Sequence, residues 1–202
     1  MSEWIIDVIV QWGYPGIFLL MVAENVFPPI PSELIMPFAG YVAARGDLSV
    51  AGVLIAGTIG SLAGTSAWYA AARLLGLDRF TRLCNRLGRV ATIQEDDIDM
   101  AARWFERYGP LAVFVGRLIP AIRTLISVPA GLAAMPLSRF LAISTAGTLI
   151  WTGILTTAGF VLHENYESVE GWVDPVSTAI VVLAVLIYIY RFVTWKPIKD
   201  IG

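Results

Sequence analysis

The chain has 202 residues, of which 57% are hydrophobic and only 15% are charged. Soluble domains carry about 25% charged residues, so this composition excludes an ordinary soluble domain and is typical of an integral membrane protein. The net charge of −2 comes without a basic tract interleaved with aromatic residues, which argues against nucleic-acid binding. Cys84 is the single cysteine and has no cysteine or histidine cluster beside it, so we expect no internal disulfide, no metal site and no cofactor.

The first apolar stretch covers residues 4–23 and is about long enough to span a bilayer. Residues 24–45 are also largely apolar, but they contain two glutamates and four prolines. Proline interrupts a helix, and broken backbone at membrane depth is tolerated only where protein buries it or a wet cavity lies beside it. Residues 24–45 therefore predict a re-entrant hairpin that enters and leaves the membrane on the same side.

Residues 48–72 carry no charge and predict a second spanning helix. The region that follows, residues 73–108, contains seven arginines and predicts amphipathic helices on the membrane surface. Residues 109–135 are the second broken apolar stretch and predict a second re-entrant hairpin. Residues 140–162 predict a further span, and the shorter apolar run 176–190 can also reach across the membrane.

The distribution of charge predicts the orientation. Cytoplasmic segments of membrane proteins carry an excess of lysine and arginine. The arginine-rich region 73–108 and the basic C-terminus are therefore expected in the cytoplasm, and the acidic loop 163–174 outside. This places a multi-pass protein in the cytoplasmic membrane, with the first hairpin entering from outside and the second from inside.

Two short motifs suggest an internal repeat. Pro37-Phe38-Ala39-Gly40 resembles Val128-Pro129-Ala130-Gly131, and Ala56-Gly57-Thr58 resembles Ala146-Gly147-Thr148. Inverted repeats with broken segments in matching positions are a known transporter design. We therefore predict an all-α integral membrane protein forming one domain over residues 1–202. Its core is an inverted repeat of two re-entrant hairpins that meet inside the membrane, each followed by a transmembrane helix, with flanking transmembrane and amphipathic helices.

Four ionisable residues within the broken stretches are the candidate functional residues: Glu24 and Glu33 in the first, Arg117 and Arg123 in the second. A charge at mid-bilayer costs at least about 2.5 kcal/mol, so such residues require partners. Arginine stays charged and presents a planar fork suited to phosphate, so Arg117 and Arg123 are predicted to bind a phosphate group. Glu24 and Glu33 can take up and release protons, and proton uptake there is predicted to free the arginines or to accompany anion release.

Other residues of the two stretches are predicted to shape or support this site. The prolines and glycines expected to set hairpin geometry are Pro28, Pro29, Pro31, Pro120, Pro129, Gly40 and Gly131. Ser32, Thr124 and Ser127 can hydrogen-bond a phosphate, or they can satisfy broken backbone, and the sequence leaves both open. The four charges could also simply neutralise one another and hold the hairpins together.

The motifs resemble the DedA family of bacterial membrane proteins, which is related to eukaryotic VTT-domain lipid scramblases. Glu24-Asn25 with the motif from Phe27 to Glu33 resembles the first hairpin of the family. Gly116-Arg117-x-x-Pro120-x-x-Arg123 with Pro129-Ala130-Gly131 resembles the second, and the resemblance covers roughly residues 5–195. Some members have Gly-Asp in place of Ser32-Glu33, which leaves the substrate subtype open.

The resemblance implies a lipid transporter that is linked to the proton motive force and to envelope integrity. Its substrate would be undecaprenyl phosphate or a phospholipid such as phosphatidylethanolamine, moved as by a flippase or a scramblase. It also implies that Glu24, Glu33, Arg117 and Arg123 matter for activity. The sequence leaves open whether the protein acts alone or as a homo-oligomer.

Two other functions compete with lipid transport. An intramembrane lipid phosphatase needs a nucleophile and an acid–base partner, but the single histidine, His163, lies in the acidic loop and outside both hairpins. The prediction is therefore a protein that is not an enzyme. A scaffold whose charges only hold its own fold is the other alternative.

Overall fold

The computed structural model describes residues 2–26, 32–91, 95–120, 122–164, 179, 182–183 and 185–194, and each regular element within them is a helix. The helices are α1 (Ser2–Val26), α2 (Ser32–Ala44), α3 (Val50–Ala91), α4 (Glu95–Tyr108), α5 (Pro110–Arg117), α6 (Ser127–Leu132) and α7 (Leu137–Glu164). A shorter apolar helix covers Val185–Thr194. The prediction of an all-helical protein is confirmed for this part of the chain.

Three helices of the described chain are long and apolar enough to cross a membrane: Trp4–Val26, Val50–Gly76 and Leu137–Leu162. They agree with the predicted spans 4–23, 48–72 and 140–162 to within a few residues at each end. Six of the fifteen residues of the fourth predicted span, 176–190, lie outside the described residues, and its last six belong to the shorter apolar helix Val185–Thr194. The protein is thus a membrane protein whose three candidate spans lie where long apolar stretches predict them.

The chain forms two compact units. Unit 1 contains Met1–Gly64 and Leu149–Leu186, and unit 2 contains Thr65–Thr148 and Ile187–Gly202. The sequence was expected to form one domain with two facing hairpins. That arrangement, including the re-entrant path of the hairpins, stays a prediction, and each unit is described by itself below.

In unit 1, α2 packs on α1 around a core that includes Ile9, Ile17, Met21, Ile35 and Met36. α1 is kinked at Gly13, whose φ of 58° lies in the left-handed region that favours glycine. α2 has 13 residues, which corresponds to about 20 Å at 1.5 Å per residue, whereas the hydrocarbon core of a bilayer is about 30 Å thick. This helix alone is therefore too short to span.

Pro37 was expected to help interrupt the first hairpin, but it lies inside α2, which continues to Ala44. A proline within a helix removes one backbone hydrogen bond, here the one to the carbonyl of Glu33. Packing compensates for this loss, because the backbone of α2 at Pro37 lies directly against Gly159 of α7. The predicted break before α2 falls at residues 27–31, which lie outside the described residues.

In unit 2, α4 packs on α5 and α6. The prediction of an amphipathic helix is met over the described part of α4: Trp104 and Phe105 pack against the core, whereas Arg103 and Arg107 are exposed. The core includes Tyr69 and Phe140, whose rings stack with centroids 4.3 Å apart. α5 and α6 have only 8 and 6 residues, and the chain between them is not regular helix.

A glycine brings a short helix against a long one in each unit. A Cβ added at Gly40 of α2 would collide with the backbone carbonyl of Thr156 in α7. A Cβ added at Gly131 of α6 would collide with the backbone carbonyl of Tyr69 in α3. The close approach of backbones at small residues is typical of membrane helices. The inverted repeat, which pairs Gly40 with Gly131, stays a prediction.

Candidate functional site

Arg117 is the last residue of α5, immediately before the irregular segment that leads to α6. Leu118 caps the helix, and its backbone N–H turns back to the carbonyls of Val115 and Gly116. Pro120 follows within the irregular segment, where it cannot donate a helical hydrogen bond. The guanidinium of Arg117 is thereby placed at a helix end beside backbone that is not in a helix.

The guanidinium of Arg117 is buried, with only 2% of the residue exposed. Nη1 donates a hydrogen bond to the backbone carbonyl of Arg123 at 2.9 Å. Nη2 donates to the hydroxyl of Ser127 at 3.0 Å and to the hydroxyl of Ser144 at 3.2 Å. One side chain thus joins α5 to the irregular segment, to the start of α6 and to α7.

Aromatic and small residues complete the surroundings of Arg117. Its guanidinium carbon lies 5.5 Å from the centroid of Phe140, a distance suited to a cation–π interaction. On α7, Gly147 makes room for the aliphatic stem, since an added Cβ there would lie 2.7 Å from the Cβ of Arg117. The position of the guanidinium therefore depends on α7, through Phe140 and Gly147.

The charge of Arg117 is not balanced by these contacts. Its hydrogen-bond partners are neutral oxygens, and no ion pair with a described residue of unit 2 accompanies them. Its Nε is buried and has no hydrogen-bond partner among the described residues. A buried cation without a negative partner is costly, so this arrangement favours an anionic ligand.

Arg123 is also buried, with 5% of the residue exposed. Its backbone is held from both sides, because its N–H donates to the carbonyl of Ile119 at 3.0 Å and its carbonyl accepts from Arg117. Of the predicted polar supports, Ser127 is fully buried and contacts Arg117, and Thr124 is half-buried in the same segment. The structure thus brings Arg117, Arg123 and Ser127 together in unit 2.

Glu24 lies in the last turn of α1 in unit 1 and is buried, with 7% exposed. The amide nitrogen of Asn25 lies 2.6 Å from a carboxylate oxygen of Glu24 and 3.3 Å from the hydroxyl of Ser61 on α3. The same nitrogen donates to the carbonyl of Met21 at 2.8 Å. Gly64 permits this approach, because an added Cβ would lie 2.6 Å from the Cβ of Asn25.

Glu33 lies in the first turn of α2 and is half-buried. The hydroxyl of the fully buried Ser32 lies 3.5 Å from its carboxylate, and Nε1 of Trp151 on α7 donates to that hydroxyl at 3.4 Å. A carboxylate in the first turn of a helix is favoured by the helix dipole. Both predicted acidic residues are therefore placed within unit 1, each beside a polar side chain.

The predicted geometry-setting residues fall into two groups. Pro28, Pro29 and Pro31 lie outside the described residues. Pro120 lies between α5 and α6, Pro129 lies in the first turn of α6, where proline is tolerated, and Gly40 and Gly131 form the backbone contacts described above. Their effect on hairpin geometry stays a prediction.

Sequence reasoning missed four residues that surround the predicted site residues. Phe140, Ser144 and Gly147 lie around Arg117, and Ser61 contacts Asn25 beside Glu24. One signal was available. Ser144, Thr148, Thr152 and Thr156 recur every four residues along α7 and are all buried, so they share one face of an otherwise apolar helix. Hydroxyl groups on the buried face of a membrane helix are typical of interhelical hydrogen bonding. Among the described residues, no group of three or more histidine, cysteine or acidic side chains could hold a metal ion.

A helical membrane protein with a buried, unneutralised arginine at a helix break is the class that this fold and site define. The VTT domain matches residues 30–161 of the chain. The protein therefore belongs to the VTT-domain family, the DedA family that its two motifs resemble.

Several characterised or curated relatives are similar over nearly the whole chain. An alkaline phosphatase-like protein of Lactococcus lactis subsp. cremoris is 44% identical over 94% of this chain and 89% of its own length. Undecaprenyl phosphate transporter A of Staphylococcus aureus is 34% identical over 96% and 97%. The protein of the same name from Bacillus subtilis is 32% identical over 95% of each chain. No solved structure matches the chain.

Proposed function

We propose that this protein transports a phosphate-bearing lipid, undecaprenyl phosphate in the first instance, across the cytoplasmic membrane. The observation that carries the proposal is the guanidinium of Arg117, which is buried among neutral oxygens and whose Nε–H finds no acceptor in the described part of the chain. A phosphate would supply the missing negative charge, and arginine is suited to its geometry. Arg123, in the same irregular segment, is the second proposed phosphate ligand.

The relatives support an undecaprenyl phosphate substrate. Two of them, 34% and 32% identical and matched over nearly their whole length, carry the name undecaprenyl phosphate transporter A. A phospholipid such as phosphatidylethanolamine has a phosphate as well, so the same arginines could serve a phospholipid translocase or scramblase. Comparing the two head groups in one assay separates these substrates.

We assign Glu24 and Glu33 the role of proton carriers. Glu24 is buried, and the amide of Asn25 lies within hydrogen-bond distance of its carboxylate, while Glu33 is half-buried at the start of α2. A carboxyl group can exchange a proton during transport, whereas an arginine stays charged. Proton uptake at one of these carboxylates would accompany phosphate release.

We further propose that transport leaves the lipid chemically unchanged. The name of the Lactococcus relative, alkaline phosphatase-like protein, raises the alternative of phosphate hydrolysis. Two hydroxyls, those of Ser127 and Ser144, accept hydrogen bonds from the guanidinium of Arg117. A nucleophilic serine requires an adjacent general base, and the hydrogen bonds that the described residues form with Ser127 and Ser144 include no such base. Measuring released inorganic phosphate tests this alternative directly.

The test uses the purified full-length protein in liposomes that contain a fluorescent undecaprenyl phosphate analogue. A membrane-impermeant quencher reports how fast labelled lipid moves between leaflets, and chromatography reports whether its phosphate stays attached. We expect movement with intact lipid. The matched variants Arg123→Ala and Arg103→Ala should differ in rate. We expect Arg123→Ala to move the lipid more slowly and Arg103→Ala to match the wild type, because Arg123 is buried in the site and Arg103 is exposed on α4.

The outcomes are distinct. Hydrolysed lipid would show that the protein is an enzyme rather than a transporter. No movement of either head group by the wild-type protein, with Arg123→Ala folding normally, would leave a scaffold. Equal movement by Arg123→Ala and wild-type protein would remove Arg123 from the proposed site.

A further inference from the structure

Ser144 is placed in unit 2 as part of the donor group around Arg117. It is fully buried on α7 and accepts a hydrogen bond from Nη2 of Arg117 at 3.2 Å. A hydroxyl on a membrane helix commonly bonds the carbonyl four residues earlier. The neighbouring Thr145 does so, donating to the carbonyl of Leu141 at 2.7 Å. Ser144 instead contacts a side chain of another helix.

The guanidinium of Arg117 has more N–H groups than the acceptors that the described residues offer it. A guanidinium has five N–H groups, and three of them serve the carbonyl of Arg123 and the hydroxyls of Ser127 and Ser144. Nε–H lacks a partner, and both serines act only as acceptors in the hydrogen bonds that the described residues form. Each serine therefore keeps an O–H that it can donate.

These spare donors surround a positive charge. A hydroxyl that accepts a hydrogen bond from a charged donor becomes a better donor itself, because chains of hydrogen bonds polarise one another. Ser127 and Ser144, polarised by Arg117, can thus donate strengthened hydrogen bonds to a ligand that the guanidinium does not contact directly. A ligand for such a group must be an acceptor with several oxygens.

We propose that Ser144, together with Ser127, is a phosphate ligand that makes the site selective for a lipid phosphate monoester over a phosphodiester head group. A monoester offers three terminal oxygens and a charge of about −1.5 to −2 near neutral pH, as a phosphorylated side chain does. A diester offers two such oxygens and one charge. The inference rests on the proposed transport of a phosphate-bearing lipid and assigns its specificity to Ser144.

The donor group is closed in this conformation. Arg117, Ser127 and Ser144 are all buried, and the hydrogen bond from Arg117 to the carbonyl of Arg123 holds the backbone of Arg123 beside them. A phosphate therefore reaches the two hydroxyls only after the packing around them opens. In this structure the two serines accept hydrogen bonds from Arg117, and with a phosphate bound they would also donate to it.

The test compares Ser144→Ala with Thr145→Ala in liposomes that contain a labelled polyprenyl phosphate or labelled phosphatidylglycerol. Thr145 is the matched control because its hydroxyl is satisfied within its own helix. We expect Ser144→Ala to move the monoester about tenfold more slowly, the loss of one hydrogen bond to a charged group, and to change diester movement much less. Thr145→Ala should match the wild type for both lipids.

A second variant keeps the proposal open to refutation if Ser144→Ala is unstable. Ser144→Thr retains the hydroxyl and should retain the preference for the monoester. A purely structural serine would instead lower the melting temperature and slow both lipids equally, which would overturn the proposal, as would an unchanged monoester-to-diester ratio in Ser144→Ala. If the wild type moves neither lipid, the proposed transport itself fails.

Discussion

Arg117 donates a hydrogen bond to the backbone carbonyl of Arg123 at 2.9 Å, so one predicted phosphate ligand fixes the backbone of the other. Replacing Arg117 by lysine keeps the charge, but one ammonium group cannot reproduce the planar fork that serves this carbonyl and two hydroxyls. Hydrogen bonds to charged groups contribute about 1.5–3 kcal/mol each, so we expect lipid movement by Arg117→Lys to fall at least about tenfold. The liposome assay measures the rate.

Arg103→Lys is the control for this exchange, since Arg103 is exposed on α4. It should leave the rate unchanged. Wild-type transport by Arg117→Lys would show that the fork geometry has no role.

Gly147 should be required for the same site. An added Cβ would lie 2.7 Å from the Cβ of Arg117 and 3.0 Å from the carbonyl oxygen of Phe114, so Gly147→Ala must push α5 away from α7. Overpacking of this kind costs about 1–3 kcal/mol, and here the strain falls on the arginine stem. We expect slower lipid movement than in the wild type, together with a lower melting temperature in detergent. An unimpaired Gly147→Ala protein would argue that α5 and α7 have more room than the structure gives them.

Gly40 and Gly131 should be needed for stability. The Cβ of Gly40→Ala would meet the carbonyl of Thr156, and that of Gly131→Ala the carbonyl of Tyr69. We expect each to lower the free energy of unfolding by about 1–3 kcal/mol, measured by thermal or denaturant unfolding in detergent. Gly153 is the matched control, because nothing lies within 4 Å of its added Cβ. Gly153→Ala should leave stability unchanged or raise it by up to about 1 kcal/mol through helix propensity.

The proposed proton carriers predict a change in pH dependence. A glutamine at position 24 or 33 keeps the shape of the side chain but cannot exchange a proton. We expect Glu24→Gln or Glu33→Gln to flatten the dependence of lipid movement on pH and on an imposed pH gradient. Asp47→Asn is the control, because Asp47 is exposed and pairs with Arg45 at 3.5 Å in a surface turn. If both glutamine variants keep the wild-type pH profile, neither carboxylate carries the proton.

The predicted orientation can be tested by cysteine labelling. Cys84 is the single cysteine, so Cys84→Ser provides a cysteine-free background. In that background, Asp47→Cys should react with a membrane-impermeant maleimide in intact cells, because residue 47 is exposed and its turn is expected outside. Arg107→Cys, exposed on α4, should react only after the membrane is permeabilised. The reverse pattern would invert the proposed topology.

The sequence predicted the spans well because a long uncharged apolar run has few other stable environments. The three candidate spans fall within a few residues of their predicted positions. It also identified Arg117 and Arg123, since an arginine in an apolar stretch is conspicuous. Pro37 was over-interpreted: one lost hydrogen bond does not end a helix that is packed along its length.

The local environment of Arg117 was less accessible to sequence reasoning. Ser144 and Gly147 gain their roles from contacts with a side chain about thirty residues earlier, and neither residue type is unusual in a membrane helix. The pairing of Asn25 with Ser61 has the same origin, since it depends on the approach of α1 to α3. The sequence shows which charged side chains are costly to bury, such as Arg117. Tertiary contacts determine which neutral residues surround those side chains.

The contacts at Gly40 and Gly131 also have a genetic consequence. At each, the nearest obstacle to a larger residue is a main-chain carbonyl, of Thr156 or of Tyr69, and at Gly40 the nearest atoms are all main-chain. A compensating mutation that merely shortens a neighbouring side chain therefore cannot restore a Gly40→Ala protein. Revertants selected for restored lipid movement should regain glycine at the original codon or shift the opposing helix as a whole.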